Sequence, residues 1–296
     1  MQFTNEIGLP EPDFLALTKD DYDLPAGHIS ISRLMSPPRK VLLERAHDHE
    51  IVVDAESRMR IMLGKAVHAY AERHLPASNG TLGEERINIE VGGWKVSGKL
   101  DLYEADRKAV IDRKCTSVFS FLLGEKPEWE QQLNCYAHLL RHCGFQVERA
   151  EILAYLLDWK QYDAAKREDY PQRSIIMVPI RLWEADYTQS FIESRVRIHA
   201  EALEAMDRDG PDALPHCTPQ ERWEKAPTWA SQKTGSTRAL RVFSGPTAEM
   251  EARGHAARSG SEAVYRHGES VRCQRFCYGS KWCSQYAAMP KEEGEE

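Results

Sequence analysis

Three charged residues on two strand-like runs carry the most direct chemical signal in this sequence. Asp101 and Asp112 lie in apolar runs within SGKLDLYEADRKAVIDRKCTS, and Lys114 follows the second acid by two positions. A carboxylate that leaves water without a partner costs several kcal/mol, so each acid needs a cation, a donor network or a metal beside it. Because side chains alternate along a strand, Asp112 and Lys114 are expected to point the same way.

A hairpin that turns about Asp106-Arg107 would bring the two acids together. In that register Asp101 lies directly opposite Asp112, with the two Cβ atoms about 5 Å apart. Two carboxylates repel at this distance unless a cation lies between them, and Mg²⁺ prefers such oxygen ligands. Lys114 could then hold the attacking water or a charged phosphate. A slip of one residue would instead place the acids on opposite faces.

The elements that must position these residues follow from hydrophobic periodicity. Ser30 or Ser32 is predicted to cap a short helix before Pro37-Pro38, and an amphipathic helix over about 55–74 carries His68. The later predicted elements are the strands RINIEV, WKVSGKLDLYE and KAVIDRKCT, a helix from Pro127 to a capping Gly144, the strands AEILAYLLDW and IIMVPIRLW, and a helix from about Ala185 to Met206. This order predicts the α/β class, with a mixed central β-sheet flanked by helices.

Four short motifs occur in one order along these elements. They are Gly64-x-x-x-His68, Gly98-x-x-Asp101, Ile111-Asp112-x-Lys114 and Gln132-x-x-x-Tyr136. Together they resemble the RecB-like branch of the PD-(D/E)XK nucleases over about residues 30–144, and the following strands by layout. The resemblance implies a restriction-endonuclease-like core and DNA as the substrate.

The resemblance also implies a role for each residue of the motifs. His68, Asp101 and Asp112 would bind Mg²⁺ or Mn²⁺, and Arg113 would offer its backbone carbonyl to the metal. Lys114 would be the catalytic lysine. Gln132 and Tyr136 would face the site and contact DNA or position that lysine.

The implied reaction is metal-dependent hydrolysis of phosphodiester bonds. A DNA exonuclease acting in phage or bacterial recombination or repair, alongside a recombination partner protein, is the first hypothesis. A DNA endonuclease of the same family is an alternative, and so is a non-catalytic DNA-binding subunit that keeps the nuclease fold. A redox or radical iron-sulfur enzyme is disfavoured because no cofactor-binding motif accompanies the cysteines.

The cysteines are distributed unevenly along the chain. Cys273, Cys277 and Cys283 follow a Cys-x3-Cys-x5-Cys spacing, which is typical of thiolates that share a metal or cluster. Iron-sulfur relatives of the RecB-like nucleases carry a fourth cysteine before the core, but Pro37 stands about where it is expected. Cys217 is therefore the predicted fourth ligand of a 4Fe-4S cluster, with Zn²⁺ as the alternative. The remaining thiols, Cys115, Cys135 and Cys143, are predicted to be ordinary buried residues.

Charge is also distributed unevenly. The formal net charge is -7, yet residues 222–281 hold eleven Lys or Arg against five Asp or Glu. Interleaved with tryptophan and tyrosine, this basic region has the composition of a phosphate-tracking, base-stacking surface, although a solvated face would have the same composition. The predicted DNA-binding residues are Arg39, Lys40, Lys225, Lys233, Arg238, Arg241 and Arg275.

Four segments are predicted along the chain. They are an extended N-terminal arm over 1–27, the nuclease core over 28–206, a basic Cys-rich module over 207–286 and an acidic tail over 287–296. No apolar run approaches the roughly 18 to 20 residues that span a bilayer, and no secretion signal is recognisable. The expected location is therefore the cytoplasm.

Overall fold

The structure is a computed structural model that describes residues 1–19, 25, 27–76, 80–124 and 126–290. Part of the predicted N-terminal arm, residues 20–24 and 26, lies outside the described residues, and so does the predicted acidic tail from residue 291 onward.

The secondary structure of the described residues alternates between short strands and helices. The α-helices are α1 (Glu11–Thr18), α2 (Ile31–Leu34), α3 (Pro38–Ala46), α4 (Met59–Glu72), α5 (Val118–Leu122), α6 (Pro127–His142), α7 (Gln161–Lys166), α8 (Ala185–Asp209), α9 (Ala248–Ser259), α10 (Val271–Arg275) and α11 (Ser284–Ala287). The strands are β1 (Gln2–Thr4), β2 (His28–Ser30), β3 (Val52–Asp54), β4 (Leu82–Gly83), β5 (Arg86–Val91), β6 (Trp94–Lys99), β7 (Leu102–Glu104), β8 (Ala109–Thr116), β9 (Arg149–Leu156), β10 (Ile175–Ile180), β11 (Thr228–Gln232), β12 (Ala239–Phe243) and β13 (Glu262–Arg266). None of the helices in these segments combines the length and the apolar character needed to cross a membrane.

The chain divides into two compact units. The first comprises Met1–Ser36 and His49–Glu201, and the second comprises Pro37–Asp48 and Ala202–Glu296. The predicted boundary near residue 206 is close to one of these divisions, but the sequence did not indicate that 37–48 would join the C-terminal part.

The first unit contains two mixed sheets. One has the strand order β10-β9-β8-β7-β4, in which β8 and β9 are parallel and the other pairs antiparallel. The other has the order β2-β6-β5, with β2 parallel to β6. A mixed α/β fold is thereby confirmed. The N-terminal segment is not simply extended, because β1 pairs with β3 and α1 follows it.

The predicted hairpin register is confirmed, but the strand before the turn is shorter than predicted. Leu102 pairs with Ile111 and Glu104 with Ala109, the register in which Asp101 continues opposite Asp112. The run WKVSGKLDLYE is not one strand, however, because β6 and β7 belong to different sheets. Leu100 is fully buried and its N–H donates to Glu85 O at 2.8 Å, which ends β6. Asp101 therefore lies at the point where the chain changes sheets.

Helix α6 is the apolar centre of the first unit. Pro127 begins it, acidic side chains occupy its first turn, and Gly144, at φ +86°, follows its C-terminus. Leu133, Ala137 and Leu140 are fully buried in the core that covers the sheets. Helix α4 forms where predicted but packs more loosely, since none of its residues is fully buried.

Replacing either of two motif glycines with alanine should change the stability of the protein, in opposite directions. A Cβ on Gly98 would lie 2.6 Å from Leu139 Cδ1 and 2.8 Å from Tyr136 Cε1, whereas a Cβ on Gly64 would meet nothing within 4 Å. We expect Gly98→Ala to lower the free energy of unfolding by about 1–3 kcal/mol through overpacking. Gly64→Ala should raise it by about 0.5–1 kcal/mol, because alanine favours the helix. Urea unfolding of both variants measures the difference, and equal effects would contradict the packing described.

The second unit has apolar cores that the sequence did not reveal. The order β12-β11-β13 forms an antiparallel sheet, against which α9 buries Ala248 and Ala252 beside Phe243. A second cluster includes Leu43 of α3 and Leu214. Hydrophobic periodicity did not predict α9, because the residues that this helix buries are alanines, which produce a weak periodic pattern.

Candidate active site

Strand β8 and helix α6 hold four of the predicted site residues in one row, joined by an ion pair and two hydrogen bonds: Asp112, Lys114, Gln132 and Tyr136. Lys114 Nζ lies 2.7 Å from Asp112 Oδ2 and donates to Gln132 Oε1 at 2.9 Å. Gln132 Nε2 in turn donates to Tyr136 Oη at 2.9 Å. The turn of helix between Gln132 and Tyr136 thus fixes the amide, and the amide fixes the ammonium group. Gln132 and Tyr136 therefore face Lys114, and their role in positioning the lysine or contacting DNA stays a prediction.

Asp112 is the most deeply buried acid of the site, with 2% of its surface exposed. Burial raises the pKa of its carboxyl to about 6, because the favourable Lys114 charge offsets only part of the desolvation and Asp101 adds repulsion. Within the described residues Oδ2 has the nearby ammonium group but no hydrogen bond of good geometry. A buried carboxylate oxygen in this condition can accept a further cation.

Asp101 is fixed by the residue that separates Asp112 from Lys114. The backbone N–H of Arg113 donates to Asp101 Oδ2 at 2.6 Å, and the Arg113 guanidinium donates to the Asp101 carbonyl at 3.0 Å. The other carboxylate oxygen, Oδ1, lies 3.4 Å from His68 Nδ1. Asp101 therefore joins the strand pair to the helix α4 that carries His68.

Glu84 is a candidate ligand that sequence reasoning missed. Its Oε1 lies 3.1 Å from His68 Nδ1, and one donor atom each from His68, Glu84 and Asp101 falls within 4.8 Å of the others. Glu84 follows β4 in a left-handed conformation, at φ +54°, and its other oxygen lies 2.7 Å from Lys99 Nζ. An isolated acid in a turn has no periodicity to mark it, so its position next to Gly83 was the only signal available.

Hydrogen bonds among His68, Glu84 and Asp101 determine which of these side chains are charged. Contacts with Asp101 and Glu84 raise the pKa of His68 to about 9. Burial would raise the pKa of Glu84, but hydrogen bonds from His68 and Lys99 outweigh it and lower that pKa to about 2. At neutral pH without a metal, the imidazole is therefore protonated and the carboxylate ionised.

Metal binding at this site should consequently release a proton. An imidazole must be neutral to ligate, so a divalent ion that binds His68 displaces the proton held there below pH 9. We expect the affinity for Mn²⁺ to increase with pH up to about 9, with about one proton released per ion at pH 7.5. Calorimetric titration in buffers of different ionisation enthalpy measures the proton count. His68→Gln should release fewer protons than the parent, and a parent that releases none at this pH would contradict His68 as a ligand.

The four predicted cluster ligands lie together in the second unit. Cys217, Cys273, Cys277 and Cys283 line one cavity, and all four are free thiols. Burial, then Glu221 and the other three cysteines, raises the pKa of Cys217 to about 12. Burial likewise raises the pKa of Cys277 to about 11. Thiols that resist ionisation in this way, crowded around one cavity, form a donor set that a bound metal would convert to thiolates.

The three other cysteines only partly match the prediction of ordinary buried thiols. Cys135 is fully buried in α6, and Cys115 in β8 is half-buried. Cys143 is exposed, so the prediction that it is buried was wrong. It lies at the C-terminus of α6, where the helix leaves the core.

Arg39 also differs from its prediction, whereas most other predicted DNA-binding residues lie at the surface. Arg39 is 1% exposed and donates hydrogen bonds inside the second unit, a position that does not suit a DNA contact. Lys40 is half-buried and ion-paired with Glu44 at 2.7 Å. The exposed residues are Lys225, Lys233, Arg238, Arg241 and Arg275.

Comparisons with solved structures give distant likenesses. The chain is similar to the crystal structure of SSO0001, with 18% sequence identity and a TM-score of 0.42 over 60% of this chain and 79% of that chain. It is also similar to an alkaline exonuclease from Laribacter hongkongensis, with 14% identity and a TM-score of 0.40 over 66% of this chain and 93% of that one. A phage-related exonuclease from Haemophilus somnus 129PT shares 14% identity, with a TM-score of 0.30 over 67% of this chain and 81% of that one. Neither a protein-family model nor a curated protein sequence matches. Similarities this distant do not support the assignment of a function. Any proposed function therefore rests on the geometry of the site.

Proposed function

We propose that this protein is a divalent-metal-dependent DNA nuclease that hydrolyses phosphodiester bonds. One observation carries the proposal: Lys114 is held between Asp112 and Gln132, beside a cluster of carboxylates and an imidazole. A lysine fixed in this way next to acids that can bind a metal suits the stabilisation of a phosphate whose charge increases during attack.

The donor set fits Mg²⁺ or Mn²⁺. Asp112 Oδ2 is buried without a hydrogen bond among the described residues, and carboxylate oxygens are the ligands that these ions prefer. Asp101, Asp112, His68 and the Arg113 carbonyl would hold the ion, with Glu84 as a further ligand. These residues would place the ion where it could supply charge neutralisation at the scissile phosphate and activation of the attacking water.

The chain's own residues supply the remaining requirements. The Lys114 ammonium group donates to the developing negative charge, while Gln132 and Tyr136 keep it from rotating away. Arg113 holds Asp101 through its backbone N–H, so the carboxylate need not reorganise during the reaction. Hydrogen bonds from His68 and Lys99 lower the pKa of Glu84 and keep its carboxylate ionised.

The preferred form of the proposal is an exonuclease that acts on DNA in phage or bacterial recombination or repair, with a recombination protein as partner. Its support is the order and spacing of the four motifs. An endonuclease of the same family is the alternative. A non-catalytic DNA-binding subunit is disfavoured, because such a protein would have no need to keep Asp112 buried next to Asp101.

A degradation assay separates these forms. End-labelled linear DNA and circular DNA are incubated with the protein and Mg²⁺ or Mn²⁺, beside Asp112→Ala. An exonuclease degrades linear DNA and spares the circle, whereas an endonuclease cuts both. If Asp112→Ala degrades DNA as fast as the parent, the proposed site is wrong. If the parent degrades neither substrate, the nuclease proposal fails.

We further propose that the exposed basic residues of the second unit contact the DNA backbone. Lys233 follows strand β11, Arg238 precedes strand β12, and Arg241 lies on β12. Near Cys273, Arg272 stacks on Trp223 at 4.1 Å, and Trp223 contacts Phe276 at 5.3 Å between ring centroids. Exposed aromatic rings beside arginines can stack on bases, which supports a preference for single-stranded segments.

The four cysteines are proposed to hold a 4Fe-4S cluster, with Zn²⁺ as the alternative. Cys217, Cys273, Cys277 and Cys283 line one cavity, and cysteine thiolates are ligands for both groups. The preference for the cluster follows from the resemblance to iron-sulfur relatives of the RecB-like nucleases. A brown protein that absorbs near roughly 400 nm is expected for the cluster and not for zinc.

A further inference from the structure

Arg39, on helix α3, is among the most deeply buried large side chains of the protein, with 1% of its surface exposed. Its guanidinium donates to three backbone carbonyls of one segment, residues 212–215. Nη2 bonds to Leu214 O at 2.6 Å and Asp212 O at 3.3 Å, and Nε bonds to Pro215 O at 3.2 Å. This segment leads directly to Cys217. Arg39 therefore fixes the backbone that delivers one of the four thiols.

The remaining guanidinium nitrogen, Nη1, contacts another of the cysteines that line the cavity. Nη1 lies 3.8 Å from Cys283 Sγ and 3.4 Å from Ser284 Oγ. These distances suit an N–H donor to sulfur and a weaker bond to the hydroxyl. One planar side chain thus connects the segment before Cys217 with Cys283, the last of the four cysteines in the chain. Lysine has a single donor centre and could not make this set of contacts.

The charge of Arg39 has no acidic partner at ion-pair distance within the described structure. Its hydrogen bonds go to carbonyls, a hydroxyl and a thiol. A buried guanidinium without a carboxylate is costly, because desolvation removes the hydration that stabilises the charge. Four thiolates around a metal ion or cluster would carry excess negative charge at this location. The cation and the cysteine set are therefore electrostatically complementary.

We propose that Arg39 is a positioning residue for the cysteine-ligated centre. It aligns the segment that carries Cys217, donates a hydrogen bond to the sulfur of Cys283 and balances the charge of the loaded centre. Hydrogen bonds to ligand sulfurs tune metal and cluster sites, and the residues that supply them orient the ligands. This inference rests on the proposed cysteine centre and replaces the predicted role of Arg39 in DNA binding.

The test uses Arg39→Met, which keeps a long apolar side chain and removes every donor, and Arg39→Lys, which keeps the charge. Iron and zinc per chain are determined for the purified full-length proteins, and the loss of metal to a chelator is followed over time. We expect Arg39→Met to lose metal roughly 10- to 100-fold faster, as for other residues that support metal ligands. Arg39→Lys should fall between it and the parent. If Arg39→Met does not fold, Arg39→Lys carries the comparison.

Arg195→Met controls for the general loss of a partly buried arginine that donates to backbone carbonyls. Arg195 donates to Leu34 O at 2.9 Å and Ser36 O at 2.8 Å in the first unit, and it is not among the residues that line the cavity of the four cysteines. Alkylation of Cys283, read by peptide mass mapping of the loaded proteins, adds a signal that general destabilisation does not produce. It should increase in Arg39→Met and not in Arg195→Met. Equal metal loss and equal alkylation in the two variants would overturn the proposal.

Failure of the centre itself gives a different result. If the parent protein contains neither iron nor zinc, both the proposed cysteine-ligated centre and the proposed role of Arg39 are wrong. If the parent contains metal and Arg39→Met loses it to the chelator at the same rate, only the proposed role of Arg39 is wrong.

Discussion

Replacing Lys114 with methionine should lower the rate of DNA hydrolysis by about 100- to 1,000-fold, the usual cost of removing one fixed group that stabilises transition-state charge. The ammonium group lies 2.7 Å from Asp112 Oδ2 and is held by Gln132. Methionine fills a similar volume without a charge, so the loss should appear in the rate and leave the fold in place. Single-turnover degradation of end-labelled DNA with Mg²⁺ measures it.

Lys95→Met is the matched control for Lys114→Met. Lys95 is an exposed lysine on strand β6, outside the site described above. Its replacement should leave the rate within about 2-fold of the parent, as surface substitutions usually have small effects. Comparable losses in both variants would mean that Lys114 has no special role. Circular dichroism of each variant checks that its secondary structure is unchanged.

Cys217→Ser should remove most of the bound metal and destabilise the second unit. In a structural metal site the free energy of binding is also free energy of folding, so losing one of four ligands costs several kcal/mol. For a unit of about 100 residues each kcal/mol corresponds to about 4–8 °C in Tm. We therefore expect Tm to fall by more than about 10 °C, and absorption near roughly 400 nm to disappear if the centre is a cluster.

Cys143→Ser provides the comparison for Cys217→Ser. Cys143 is exposed at the end of α6, in the first unit, and should tolerate serine with little change in metal content or Tm. A Cys217→Ser protein with the metal content of the parent would show that three cysteines suffice, and the choice of the fourth ligand would be wrong.

Local patterns predicted the part of the site that depends on a single hairpin and a single helix. Alternation along one strand and a short turn were enough to place Asp101 opposite Asp112, because the register of a hairpin follows from its turn. Helical spacing likewise put Gln132 and Tyr136 one turn apart. These relationships span few residues, so the sequence contains them almost directly.

The features that the sequence did not reveal depend on contacts between distant segments. Glu84 joins His68 only because a turn with a positive φ directs it there, and a turn has no repeating pattern. Arg39 looked like a surface cation because its partners are backbone carbonyls more than 170 positions away, which no composition shows. Helix α9 was not predicted, because the side chains that it buries are alanines, which are small and only weakly apolar.

The change of sheet at Leu100 and Asp101 bears on how this site can vary in evolution. In an uninterrupted strand, inserting one residue turns every later side chain to the opposite face. Here β6 and β7 pair in separate sheets, so the length of the junction and the register of β7 against β8 are independent. The junction carries Asp101 itself, fixed by the backbone of Arg113. Relatives of this protein should therefore differ in the residues before the aspartate more freely than in the spacing from the aspartate to the lysine.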